Sequence, residues 1–123
     1  MTSVSGPNGN IDWMNCGFEA GGWSPPHVRV QDLITVSLSV ALQNPNSPFK
    51  ACGPYIGLFE KYGAMYAIPP IMLASFAMQE SSCQPWRVGG GGEQGLMQIT
   101  RDKCGGAPGG DCKNPVSVLI SHL

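Results

Sequence analysis

Glu80 is the residue of this 123-residue chain whose type and setting point most directly to chemistry. A helix is predicted to begin at Pro69 or Pro70, because proline suits the first helical turn, and to run to about Ser81. At about 100° per residue, Glu80 lies in the middle of an apolar stripe about 140° wide. The apolar side chains of that stripe are Met72, Phe76, Leu73 and Ala77.

This position has a chemical consequence for the carboxyl group of Glu80. Burial among apolar side chains would disfavour its ionised form. The negative end of the helix dipole in the last turn would act in the same direction. A carboxylic acid that keeps its proton near neutral pH is what a general acid for glycosidic cleavage requires. From periodicity alone, the alternative is a helix end at which Glu80 reaches water.

A second motif follows Glu80 at a characteristic distance. The proline-initiated helix ends in Glu80-Ser81, a glycine-rich loop follows, and Gly-Leu-Met-Gln-Ile stands at residues 95–99. This pattern resembles the soluble lytic transglycosylase (SLT) domain of the lysozyme-like superfamily, over roughly residues 54–115. The cysteine-bearing surroundings are similar to the secreted versions of this domain found in fungi.

The resemblance implies that Glu80 is the single catalytic acid/base of a lytic transglycosylase or muramidase-like glycosidase. Glu80 would protonate the oxygen that links N-acetylmuramic acid to N-acetylglucosamine and then accept the proton of the sugar's own 6-hydroxyl. Ser81 would orient the glutamate. The residues implied to line the groove beside it are Gly95, Leu96, Met97 and Gln98. The implied partner is a bacterial cell-wall glycan or an oligosaccharide containing N-acetylglucosamine, and no cofactor is implied.

Other side chains near the motif have two interpretations each. Glu93 is a possible second carboxylate, which would permit a hydrolytic route if it faced Glu80; otherwise it is a solvated loop residue. Trp86 either stacks on a sugar face or packs against the protein. Met97 and Met72 are interpreted as core-filling side chains in preference to ligand contacts.

The five cysteines predict disulfide bonds and no metal site. They contain no C-x-x-C pair, and the only histidines are His27 and His122, so a zinc site has little support. Cys104 and Cys112 flank a glycine-rich loop and are predicted to form a disulfide bond. A pairing of Cys16 with Cys52 is a weaker prediction that leaves Cys83 over. The alternative is that all five are small buried hydrophobic residues.

Composition and charge exclude several classes of partner. A net charge of −1, without a run of Lys or Arg, disfavours nucleic acid. The longest apolar stretch, 68–78, is too short for a membrane span. Residues 90–95 satisfy G-x-G-x-x-G, but a helix precedes them where a dinucleotide site needs a strand. A low charged fraction of 12% together with disulfides favours a secreted protein, although no signal peptide is visible. The protein is expected to be a monomer.

The predicted fold class is mainly α, a lysozyme-like helical domain with long loops rich in Gly and Pro. Helices are predicted over about 31–43, from Pro54 with Gly63 as C-cap, from Pro69 or Pro70 to Ser81, and in the tail 116–123. Residues 1–28 are expected to form a loop-rich leader that packs on the core, and residues 29–123 a partial SLT domain.

The sequence departs from the SLT pattern after Pro115, so the domain is expected to be incomplete at its C-terminus. An alternative function is therefore a catalytically impaired, truncated glycan-binding or effector-like protein. A gene-model fragment with no function of its own is a third possibility.

Overall fold

The computed structural model describes residues 29–114, and this part of the chain is mainly helical, as predicted. It contains three α-helices, α1 (Leu38–Gln43), α2 (Ile56–Tyr66) and α3 (Pro70–Ser81). Short 3-10 helices span Val30–Asp32, Lys50–Tyr55, Arg101–Gly106 and Pro108–Gly110. Between residues 29 and 114 there is no strand, only two isolated β-bridges. The boundary between two compact units falls between Thr35 and Val36.

The first predicted helix, 31–43, is only partly formed. A 3-10 turn ends at Asp32, and α1 begins at Leu38. Between them lies the run Ile34-Thr35-Val36, whose β-branched side chains favour extended backbone over helix. The hydroxyl of Ser37 accepts a hydrogen bond from the Val40 amide at 3.3 Å, which caps α1 at its observed start.

The second predicted helix is present with different ends. Pro54 lies inside the preceding 3-10 helix, and α2 continues past Gly63 to Tyr66. Ala67, with φ of 55°, provides the left-handed C-cap that was predicted at Gly63. Gly63 instead permits close packing, because a Cβ there would lie 2.6 Å from the carbonyl oxygen of Ile68.

Helix α3 begins and ends as predicted, and it supplies one side of the core. Its buried face contains Leu73, Ala74 and Ala77 and packs against Phe59 and Tyr62 of α2. Small side chains on α3 allow the two helices to approach closely. The other buried members of this core are Leu38, Cys52, Cys83 and Leu96.

Two disulfide bonds connect the described residues. Cys104 pairs with Cys112, as predicted, and Cys52 pairs with Cys83. The predicted pairing of Cys16 with Cys52 is therefore wrong, because the partner of Cys52 lies at the end of α3. Cys16 itself lies outside the described residues, as do the predicted leader 1–28 and the predicted tail helix 116–123. No helix within residues 29–114 is long and apolar enough to cross a membrane.

Candidate active site

Glu80 lies in the last turn of α3, and its side chain is exposed. The prediction of a buried carboxyl is wrong for a geometric reason. The buried face of α3 is centred near Ala77, between Leu73 and Ser81, and Glu80 is about 60° around the helix from Ala77. Phe76, which helped to define the predicted apolar stripe, is 53% exposed. The stripe predicted from periodicity therefore overlaps the true core face only at one edge.

Phe76 and Glu80 form one row on the accessible side of α3. They are four residues apart, so their side chains are neighbours on the helix surface. Met72, one turn earlier, continues this row and is half-buried. The carboxyl group thus stands at the end of an apolar ridge. Within residues 29–114 it has no hydrogen-bond or ion-pair partner of its own.

The backbone beyond Glu80 is held in a tight reversal. Ser82 and Cys83 have φ values of 55° and 56°, which residues other than glycine rarely adopt. The Cys83 amide donates to the carbonyl of Ala77 at 3.0 Å, which closes the last turn of α3. The buried disulfide to Cys52 then fixes Cys83 to the segment that precedes α2. This cross-link was not predicted, although it lies three residues from the candidate acid.

Ser81 connects the end of α3 to the second motif. Its hydroxyl lies 2.9 Å from the carbonyl oxygen of Leu96 and 3.0 Å from that of Ala77. It also accepts a hydrogen bond from the Gln84 amide at 3.2 Å. Ser81 is fully buried, so these contacts position the turn that carries Leu96 beside the helix end. The two halves of the sequence motif meet through this one side chain.

Residues 95–98 form a compact turn, and its residues contribute to the structure in different ways. Gly95 is buried and adopts φ of 81°, a left-handed conformation that favours glycine. Leu96 is fully buried in the main core. The side-chain amide of Gln98 donates to the carbonyls of Gly95 at 3.0 Å and Arg87 at 3.1 Å, which ties the turn to the loop before it.

Met97 joins the main core to a second, smaller cluster. It is half-buried and packs against the core around α2 and α3. It also packs against the cluster around the Cys104–Cys112 disulfide, together with Ile99. This placement agrees with the core-filling interpretation of Met97.

Glu93 is held inside the glycine-rich loop. Its carboxylate accepts a hydrogen bond from the Gly91 amide at 3.1 Å, and its carbonyl accepts one from Gly89 at 2.8 Å. A Cβ on Gly89 would lie 2.5 Å from a carboxylate oxygen of Glu93, so glycine is needed there for the side chain to fold over the loop. Glu93 is half-buried, which differs from the freely solvated alternative.

Trp86 projects from the loop between α3 and the 95–98 turn. It is 67% exposed, so the interpretation that it simply packs against the protein does not hold for the described part of the chain. Its neighbour Pro85 is buried. The backbone is therefore anchored while the indole ring faces outward.

Two side chains among residues 29–114 have shifted pKa values. A hydrogen bond from the Thr100 hydroxyl lowers the pKa of the Asp102 carboxyl. The hydrogen bonds and the attraction of Asp32 raise the pKa of the Arg29 guanidinium. Residues 29–114 contain no group of three or more His, Cys, Asp or Glu side chains placed to hold a metal ion.

Two shallow clefts lie on other parts of the surface. One, of about 350 Å³, is lined by Ser75, Met78 and Gln79 of α3 and by Pro48 and Phe49. The second, of about 370 Å³, shares Pro48 and Phe49 and extends along α1. Neither of these two clefts is lined by Glu80.

One protein family matches the part of the chain that contains Glu80. Residues 57–107 match the family model of the transglycosylase SLT domain. The match begins in the first turn of α2, includes all of α3 and the 95–98 turn, and ends just beyond the Arg101–Gly106 helix. No curated protein and no solved structure matches the chain. Over residues 57–107 the chain is therefore similar to the transglycosylase SLT domain family, a lytic transglycosylase-type family of glycosidases within the lysozyme-like superfamily.

Proposed function

We propose that this chain cleaves the glycan strands of bacterial peptidoglycan by lytic transglycosylation, with Glu80 as its single acid/base. The observation that carries the proposal is the contact between Ser81 and Leu96. It joins the helix end that bears Glu80 to the 95–98 turn, inside the segment that matches the SLT family. An acid on a fixed helix end beside an ordered turn is an arrangement suited to positioning one sugar linkage.

The proposed reaction needs one carboxyl group and no water. Glu80 donates its proton to the oxygen between N-acetylmuramic acid and N-acetylglucosamine as the bond from the anomeric carbon to that oxygen breaks. The 6-hydroxyl oxygen of the same muramic acid residue then attacks the anomeric carbon. Its proton returns to Glu80, which is regenerated as the acid, and a 1,6-anhydro sugar is formed.

Because Glu80 is exposed, the substrate itself must exclude water from the carboxyl group in the proposed reaction. A glycan strand laid along the row of Phe76 and Glu80 would cover the carboxyl and displace water from it. Removal of water disfavours hydrolysis of the activated sugar.

The cysteines support an extracellular site of action. Both disulfides join buried cysteines, and such bonds persist in oxidising compartments. We propose that the chain acts as a secreted monomer on the cell wall, without a cofactor.

Product analysis in isotopically labelled water tests the proposed reaction. The chain is incubated with purified cell walls in H₂¹⁸O, and the released muropeptides are examined by mass spectrometry. We expect 1,6-anhydro products without ¹⁸O. Reducing ends that carry ¹⁸O would show hydrolysis instead, and cell-wall binding without any product would favour a non-catalytic glycan-binding protein.

A further inference from the structure

Trp86 is the most exposed large hydrophobic side chain among residues 29–114, at 67%. An aromatic ring so placed loses apolar contact with water only if a ligand covers it. The residues on either side restrict its position. Pro85 is buried, and Arg87 is fixed through its backbone, so the ring is presented from an ordered segment.

Two consecutive turns place Trp86 close to the end of α3. The Gln84 amide donates to the carbonyl of Ser81 at 3.1 Å, and the Arg87 amide donates to the carbonyl of Gln84 at 3.2 Å. Each such turn brings its end residues within about 7 Å, so the backbone of Trp86 lies within about 14 Å of Ser81. The backbone that carries the indole ring is therefore held close to the end of α3.

The next residue ties Trp86 to the other half of the motif. The carbonyl oxygen of Arg87 accepts hydrogen bonds from the Gly95 amide at 3.0 Å and from the side-chain amide of Gln98 at 3.1 Å. Trp86 thus lies five residues after the end of α3 and immediately before Arg87, whose carbonyl anchors the 95–98 turn.

We propose that Trp86 is a carbohydrate-binding residue that stacks its indole ring against the pyranose ring of a glycan sugar. This inference rests on the proposed glycan-cleaving function and adds a named contact to it. The negative face of an aromatic ring attracts the weakly positive C–H groups on the face of a sugar.

The surroundings of Trp86 favour a sugar over a protein surface. Gln84 and Arg87 beside it are exposed and polar. A stable protein interface needs about 800 Å² on each partner, with a cluster of buried apolar residues at its centre. A single ring with polar neighbours instead fits a sugar, which offers one apolar face and a polar edge.

Binding measurements with the acid already removed test this proposal. In the full chain carrying Glu80→Gln, affinity for tetra-N-acetylchitotetraose is measured by calorimetry for Trp86→Ala, Trp86→Leu and Trp86→Tyr. Loss of stacking is expected to weaken binding about fivefold to tenfold in the Ala and Leu variants. The Tyr variant, which keeps an aromatic face, should bind nearly as the Glu80→Gln chain does.

A matched control and two outcomes make the test decisive. Val88→Ala removes another exposed apolar side chain from the same loop, where Val88 is 55% exposed, and should leave affinity unchanged. Equal affinity of the Ala and Tyr variants, or no binding by the Glu80→Gln chain, would overturn the proposal. Unchanged melting temperatures would show that lost binding does not reflect unfolding. Failure of the proposed cleavage would be seen separately, as absence of product from cell walls.

Discussion

The hydroxyl of Ser81 lies 2.9 Å from the carbonyl oxygen of Leu96, and both residues are fully buried. This hydrogen bond crosses 15 positions of the sequence. It joins the Glu80-Ser81 pair to the 95–98 turn, because the hydroxyl of Ser81 holds the carbonyl of Leu96 in place. Glu80 itself lies on the accessible side of the helix.

Replacement of Ser81 by Ala should destabilise the fold, because the buried carbonyl of Leu96 loses its donor. The expected loss is about 1–3 kcal/mol of the free energy of unfolding. Ser75→Ala is the control on the same helix, since the hydroxyl of Ser75 donates to the carbonyl of Ile71 at 2.7 Å but is exposed. Urea denaturation measures both variants, and equal stability of the two would contradict the positional role of Ser81.

The two disulfides should contribute unequally to stability. The sequence separation is 31 residues for Cys52–Cys83 and 8 residues for Cys104–Cys112. Chain entropy then predicts losses of about 3.7 and about 2.5 kcal/mol when each pair is replaced by serine. Denaturation of the two double variants measures the difference. A larger loss for the shorter loop would show that chain entropy does not control these bonds.

Replacement of Glu93 by Gln separates one-carboxylate from two-carboxylate chemistry. The amide oxygen of Gln can still accept the hydrogen bond from Gly91, so the loop should keep its shape. We expect release of 1,6-anhydro products at a rate close to that of the parent chain, as measured by chromatography of digested cell walls. A loss of activity as deep as that caused by Glu80→Gln would make Glu93 a second catalytic carboxylate.

Replacement of Thr100 by Val should raise the pKa of Asp102 towards its usual value, because it removes the hydrogen bond that lowers it. A lowered pKa stabilises the fold above the pKa of the unfolded chain, and this contribution disappears as the pH falls through the pKa of the folded chain. An NMR titration of the Asp102 carboxyl carbon measures the change. An identical titration in both proteins would contradict the assigned cause.

The sequence was sufficient to predict α3 and its motif. Pro70 favours a helix start, and the pattern that follows is specific, so the observed bounds Pro70–Ser81 agree with the prediction. The face that α3 buries was not predictable from periodicity. Phe76 and Ala77 lie on adjacent sides of the helix, and the core accepts the smaller one because α2 packs closely there.

Of the two disulfide bonds, one was predictable from the sequence and the other was not. Cys104 and Cys112 are joined by a short glycine-rich loop, so local chain geometry was enough to predict their bond. The bond between Cys52 and Cys83 depends on how α2 and α3 pack, which is a tertiary property. For the same reason, the contact of Ser81 with Leu96 could not be predicted from the sequence, although Ser81 adjoins Glu80 in the motif.

The rate at which cell walls release 1,6-anhydro products, compared between Glu80→Gln and Glu60→Gln, tests the central claim most directly. Glu60 is an exposed glutamate on α2 and provides the matched control. Loss of a general acid predicts a fall of at least about 100-fold for Glu80→Gln, while Glu60→Gln keeps the parent's rate. Equal rates for the two variants would contradict the assignment of Glu80 as the catalytic acid.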